Sequence, residues 1–465
     1  MRKNCSSEVF YPMNRQQTII KNVDAQRAMI LEAERWLWAH PQTGYTEWQA
    51  HEYLVNAFES MGYTLTLAGN IPGFYTDIDT GRPGPHLCIM GELDALDIAN
   101  HPESVNGMTH CCGHHAQCAT LLGIAAALKS PDALEGLSGK IRLMAVPAEE
   151  MIQLGFREEL RRKGVIHCMG GKVEFMHRGF FDGIDLALMA HGAVSPADSP
   201  VDFYCDHLWN GAMAKMITFK GKSSHAGGAP HLGRNAQYAA MLGLQACNDL
   251  RETLREKDTV RFHPILMGAN CAVNIIPDQM KIESFVRANS YEAMKRENRK
   301  FNRAMAGAAL AMGCGVELCD RPGYMPQIHD EAYMRLVEQC CADLVGADRV
   351  RFDYTACSTG SSDFGDLTCV MPGIQFSVFG ATGTLHGIDF CAADPDRLCL
   401  NSAKAQLLVA DALLRDDAAA AKEICANYKP LFPSIKAYFE AVEELTLDKD
   451  AVIYDEDGNA TVDYL

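Results

Sequence analysis

The sequence predicts an α/β fold that carries an inserted α+β, ferredoxin-like domain. Three observations predict it. Short apolar runs alternate with helical patterns through the first part of the chain. From Asp206 to Cys319 the rhythm changes to β-α-β-β-α-β, the order of a separate unit. The α/β rhythm then resumes with a helix over Glu331–Leu344. The expected organisation is therefore 1–205 and 321–416 as two parts of one α/β domain, 206–320 as an inserted domain, and 417–465 as a C-terminal extension.

Taken in order, residues up to about 22 give no determined pattern. Two helices follow. In the second, Ala50, Tyr53, Leu54, Ala57, Phe58 and Met61 recur at helical spacing. Thr46 with Gln49 suggests a capping box, and Gly62 a stop. Strands are expected over His86–Met90, Ile141–Val146, Ile184–Ala190 and Ile374–Phe379, and a buried helix over Cys118–Leu128. Inside the insert, strands are read at Met213–Lys220, Val260–Met267, Gln279–Arg287 and Val316–Cys319, with helices at Asn235–Leu254 and Ser290–Met312. The helix Asn401–Leu414 closes the α/β pattern. Beyond it, a helix at Ile435–Leu445 precedes a hairpin around Asp457-Gly458.

Composition sets the class. The 465 residues suffice for two or three domains, and 48% hydrophobic with 22% charged residues is an ordinary globular balance. A net charge of -17 argues against nucleic acid and anionic membrane as partners. Met1-Arg2-Lys3-Asn4-Cys5 leads into polar residues with no apolar run, so no secretory signal is read there. No stretch approaches the roughly 18 apolar residues of a membrane span. The 18 cysteines then read as reduced thiols of a cytoplasmic protein, most of them small core residues.

Cys112 is the exception. In His110-Cys111-Cys112-Gly113-His114-His115 a thiolate and an imidazole stand two residues apart. Glu149-Glu150, His191 and His386 each follow an apolar strand, where sites form in open α/β sheets. Thiolate, imidazole and carboxylate suit a borderline divalent metal. The Glu149-Glu150 pair is either a solvated acidic turn or a pair that can split roles, one carboxylate binding metal and the other moving a proton. Cys112 as a nucleophile with His114 or His115 is the alternative. Glu92 and Asp94 sit where they can orient a ligating histidine. In the insert, His225 is either a loop residue or an oxyanion donor, and Asn274 and Arg287 are either structural or substrate-binding.

Together these stretches resemble the dinuclear metallo-amidohydrolases that include aminoacylase and the auxin-conjugate hydrolases, a branch of the M20 peptidases. The resemblance rests on His40-Pro41 with Gly44 and Glu47, Glu92–Leu96, His110–His114, Pro147–Glu150, Asp185–His191, His225, Pro230-His231 with Gly233, Asn274–Asp278, Gly360–Asp366 and His386. The Gly170-Gly171-Lys172 and Gly360–Asp363 segments resemble the aminobenzoyl-glutamate and dipeptide hydrolase branch more than the plant enzymes. The resemblance implies a zinc-peptidase-like three-layer catalytic domain, with 206–320 as its inserted lid or dimerisation domain. It implies two divalent metals (zinc or manganese, with cobalt or nickel as variants) on Cys112, His114, Glu150, His191 and His386. Glu149 would be the general base toward metal-bound water, and His225 would steady the oxyanion across a homodimer. Asn274 and Arg287 would hold the carboxylate of an N-acyl amino acid or dipeptide-like amide. A non-catalytic binding protein on the same fold is the rival reading. Two departures stand out. His115 and Gln117 occupy places where the family pattern Cys-Gly-His-Asp-x-His has Asp and His, and an insertion at Met151–Met169 is expected to change the substrate's space.

Overall fold

The computed structural model describes residues 14–195, 199–268 and 271–465, so the amino-terminal stretch read for a signal lies outside the described residues. Two sheets organise the molecule. The larger has nine strands. Its order is Thr66–Leu67, Phe74–Asp79, Lys140–Val146, His86–Glu92, Leu186–Val194, Gly373–Ala381, Phe203–Trp209 and Gln327–Ile328, with Val350–Ser358 also paired to Phe203–Trp209. The four neighbours from Lys140–Val146 to Gly373–Ala381 are mutually parallel.

These central strands are apolar without alternation because both faces are covered. Leu87, Ile89, Leu186 and Leu188 join one core with the helices Arg27–Trp38, His114–Ala127 and Ser402–Leu414. Cys88, Met90, Ala187 and Met189 point the other way, into a core shared with the helix Gly171–His177 and the second sheet. Helix, sheet and helix thus form three layers.

The second sheet is antiparallel, in the order Arg261–Met267, Gln279–Ala288, Gly211–Lys220, Gly315–Tyr324, Leu447–Tyr454 and Ala460–Val462. Its first four strands, with the helices Ala236–Asp249 and Tyr291–Ala311, make the ferredoxin-like unit. Its last two come from the C-terminal segment. That segment is part of the insert's sheet, because the open edge of Gly315–Tyr324 takes up its backbone groups. The expected hairpin is present, with Gly458 at φ +84° in its turn. The strand Phe203–Trp209 belongs to the large sheet although it runs past residue 206, and Gly315–Tyr324 runs past residue 320.

Some local expectations are corrected. Residues Arg15–Asp24 form a helix whose cap is the Asn14 side chain. No capping box forms at Thr46, since its hydroxyl donates to the Thr43 carbonyl at 2.7 Å and the Gln49 N–H is taken by the Gln42 side chain at 2.7 Å. The buried helix begins at His114, four residues earlier than its apolar run. The stretch after Glu150 contains the helix Leu154–Arg162. Among the described residues every cysteine is unpaired, and most are buried. Among the described residues no helix is long and apolar enough to cross a membrane.

Candidate active site

Loops at the carboxyl ends of the parallel strands carry the ionisable groups. Glu92 ends its strand and Glu149-Glu150 follow Lys140–Val146. Gly113, at φ +92°, turns the chain between Cys112 and the first helical residue, His114, a conformation that costs an L side chain. His191 lies within Leu186–Val194, and His386 follows Gly373–Ala381 with its N–H donated to the Cys111 carbonyl at 3.1 Å.

The structure brings the five expected ligands together. Ligand atoms of Cys112, His114 and His191 lie within 4.8 Å of one another, as do those of Cys112, Glu150 and His386. Cys112 is common to both groups, with its Sγ 3.5 Å from His191 Nε2. His386 Nε2 stands 3.2 Å from Glu150 Oε1. A third group joins Glu92, His114 and Glu149 on the same scale.

Residues around the cluster fix its orientation. His114 Nδ1 meets the Asp94 carbonyl at 2.9 Å and its carboxylate at 3.1 Å, while the other Asp94 oxygen accepts the Glu150 N–H at 2.8 Å. The two departures from the family pattern have partners. His115 faces Glu34 at 3.3 Å, and Gln117 accepts the Glu92 N–H at 3.0 Å.

The loop carrying the carboxylate pair is strained and strapped. Ala148, at φ +56°, donates its N–H to Glu47 at 2.7 Å. Arg157, from the unexpected helix, is buried and donates to the carbonyls of Ala148, Met169 and Glu150. Gly44 packs so closely here that a Cβ would stand 2.5 Å from Arg157 and 2.9 Å from Ala148 Cβ, which explains the glycine after His40-Pro41. Tyr324, closing the insert's strand, donates its hydroxyl to the Glu149 carbonyl and accepts the Met151 N–H, both at 2.8 Å.

Charge accumulates. Glu92, Asp94, Glu149, Glu150 and Asp363 are all buried, with the buried cations Lys172 and Arg157 against them. Burial, then Glu92, Glu150 and Asp363, push the Glu149 carboxyl well above the usual range. Burial, then Glu150, also pushes the Cys112 thiol up. Burial works against the charge of Lys172, but Asp363, Glu92 and Glu149 outweigh it and hold the ammonium. Glu92 Oε2, His114 Nε2 and Glu150 Oε1 are buried without hydrogen-bond partners. Buried carboxylates and unpartnered imidazole and carboxylate atoms facing one another beside the Cys112 thiol fit divalent cations.

The insert's residues behave differently. His225 is exposed, its Nδ1 accepting the N–H groups of Gly227 and Gly228 at 3.2 and 2.9 Å. Asn274 is also exposed and sits beside it, its carbonyl accepting the Ala226 N–H at 2.8 Å. The described contacts of this chain join neither to the cluster. Half-buried Arg287 does reach the α/β body, donating to Ser361 Oγ at 3.0 Å. Burial lowers its proton affinity, with Tyr324, Glu149 and Glu150 opposing. Arg157, Lys172, Tyr324 and Asp363 received no role from sequence. Lys172 and Asp363 do fall in the Gly170-Gly171-Lys172 and Gly360–Asp363 segments that the sequence singles out.

Comparison with known proteins agrees with this architecture. The model of Peptidase family M20/M25/M40 matches residues 88–400. The human Xaa-Arg dipeptidase is 28% identical over 364 residues, covering 73% of this chain and 74% of that protein. A p-aminobenzoyl-glutamate hydrolase chain of Escherichia coli is 28% identical over 306 residues, 63% of this chain and 58% of that one. Among solved structures, a dinuclear metal-binding peptidase of the M20 family from Bacillus subtilis superposes with a TM-score of 0.62 at 20% identity, covering 84% of this chain and 99% of that one. With two-thirds of its length matched to the family and its ionisable groups gathered at the strand ends, the chain belongs to Peptidase family M20/M25/M40 and is a metal-dependent amide hydrolase.

Proposed function

We propose that this chain cleaves the amide of an N-acyl amino acid or small dipeptide-like conjugate, using two divalent metals held by Cys112, His114, Glu150, His191 and His386. The observation that carries the reading is the position of Cys112, common to two separate groups of ligand atoms. The relatives' substrates, an Xaa-Arg dipeptide, p-aminobenzoyl-glutamate, N-acetyl-L-cysteine and an indole-acetyl aspartate, support the same bond type. Bound metals would supply Lewis acidity toward the amide carbonyl and the attacking water.

The chain's own groups do the rest. Glu149 is the general base: its raised proton affinity suits it to accept the water proton and pass it to the leaving nitrogen. Arg287, already at the mouth of the α/β body, pairs with the substrate carboxylate, with Asn274 assisting. His225 donates to the oxyanion.

His225 and Asn274 reach the centre from a second copy of the chain. Tyr238, Met241 and Leu242 are exposed on the insert's helix, and Ile265, Leu266 and Met267 on its edge strand, a surface suited to a homodimer. The thiolate favours zinc, while a carboxylate-rich set also accepts manganese, cobalt or nickel. Unpaired cysteines support a cytoplasmic setting.

The test is amine release from a panel of N-acyl amino acids and dipeptides, before and after chelation and after return of zinc or manganese. Activity that disappears and returns with metal is expected. Activity that survives complete stripping but is lost on thiol alkylation would move the chemistry to Cys112 as nucleophile.

A further inference from the structure

We propose that Glu92 is a further metal donor of this centre, aimed by the buried pair Lys172 and Asp363. The inference rests on the dinuclear reading above and extends it to a residue outside the expected ligand set.

Glu92 has no exposed surface. One oxygen, Oε1, accepts from Lys172 Nζ, and its backbone N–H is held by Gln117 at 3.0 Å. The other oxygen, Oε2, has no hydrogen-bond partner. It lies 3.2 Å from His114 Nε2, which also has none. Both contacts of His114 Nδ1 are acceptors, the carbonyl and carboxylate of Asp94, so Nδ1 carries a proton. Nε2 therefore stands beside Glu92 Oε2, with no other partner for either atom. Two buried donor atoms at that separation can close on one cation placed between them. An oxygen of Glu149, the proposed base, lies within 4.8 Å of ligand atoms of both residues.

Lys172 explains how the carboxylate is kept in this pose. It is fully buried and bonds Glu92 and Asp363 together, while its backbone N–H is donated to Asp363 Oδ2 at 2.9 Å. Glu92 is therefore pinned at one oxygen and at its backbone, leaving a single oxygen free. A carboxylate pinned in this way offers one coordination bond of fixed direction. The arrangement also gives the Gly170-Gly171-Lys172 and Gly360–Asp363 segments one shared purpose, because they meet at this carboxylate.

The experiment is a cobalt(II) titration of the metal-free full chain, read by calorimetry and by visible absorption, for wild type, Glu92→Gln and Glu92→Asp. The expected result is two cobalt ions on the wild type. In Glu92→Gln one site should be weakened by about tenfold or more, with altered ligand-field bands. Glu92→Asp keeps the charge opposite Lys172 and should fold where Gln does not, and its bands should shift because the oxygen is drawn back. Unchanged bands and affinities in both variants overturn the proposal and make Glu92 a partner of Lys172 and of a protonated His114 only. A wild type that binds fewer than two cobalt ions would instead overturn the dinuclear reading itself.

Discussion

The α/β body and the inserted sheet solve opposite problems. In the body, Glu92, Asp94 and His114 are wholly buried and held by fixed partners. In the insert, His225 and Asn274 stand exposed on adjoining loops. Parallel strands with both faces covered converge at one end, so residues distant in sequence meet there without any moving part. An antiparallel sheet with one covered face spreads its loops outward and can present them to another surface. The difference teaches that buried partners fix the groups of the body, whereas those of the insert are left open, which is the division of labour that the proposed function uses.

Substitutions can break this comparison in graded steps. The largest effect is expected from Glu149→Gln, which should lower kcat by about a thousandfold, within the range of general acid–base contributions, with metal content unchanged. Retention of full activity would remove Glu149 from its role. His225→Ala should cost on the order of a hundredfold in kcat, as loss of an oxyanion donor does. Mixed with the Glu149→Gln chain, it should regain activity through hybrid dimers. If hybrids stay inactive, the insert serves its own body and the division between the two regions fails.

Smaller effects concern stability. Arg157→Met removes a buried guanidinium that serves three carbonyls and should lower unfolding stability by about 3 kcal/mol, seen in thermal melts of the metal-free chain. A melt unchanged by the substitution would show the carboxylate loop to be rigid without it. The smallest effect is at Glu158, where helix Leu154–Arg162 meets the insert. Burial would raise its carboxyl, but hydrogen bonds from Arg161 and Arg321 outweigh burial and bring it to about 2. Its contribution is present above the unfolded value of roughly 4.3 and is lost as pH falls toward 2. Glu158→Gln should flatten that part of the acid limb of Tm against pH; an unaltered limb would show that the carboxylate adds nothing there.

Much of this was legible in sequence where chemistry and periodicity coincide. The apolar runs at Ile141–Val146 and Leu186–Ala190 announce buried parallel strands, and the ionisable residues just after them announce a site. What escaped depends on partners far along the chain. Arg157 lies in the charged run Arg157-Glu158-Glu159-Leu160-Arg161-Arg162, and nothing local says that one guanidinium turns inward. Lys172 is explained only by Glu92 and Asp363, 80 and 191 positions away. The capping signal at Thr46 misled because Gln42, seven residues before Gln49, competes for the same N–H. The two motif departures became intelligible only once Glu34 and the backbone of Glu92 were seen as partners of His115 and Gln117.

The strand Leu447–Tyr454 also sets a timetable. It covers the edge of Gly315–Tyr324, and its Asp450 reaches Lys220, 230 positions earlier. At ribosomal speeds of about 5–20 residues per second, the edge strand leaves the ribosome on the order of ten seconds before its cover. During that interval its bare backbone is a template for strands of neighbouring nascent chains. Slower decoding between residues 324 and 447 lengthens the vulnerable period, so the yield of correctly assembled protein depends on how quickly that stretch is read.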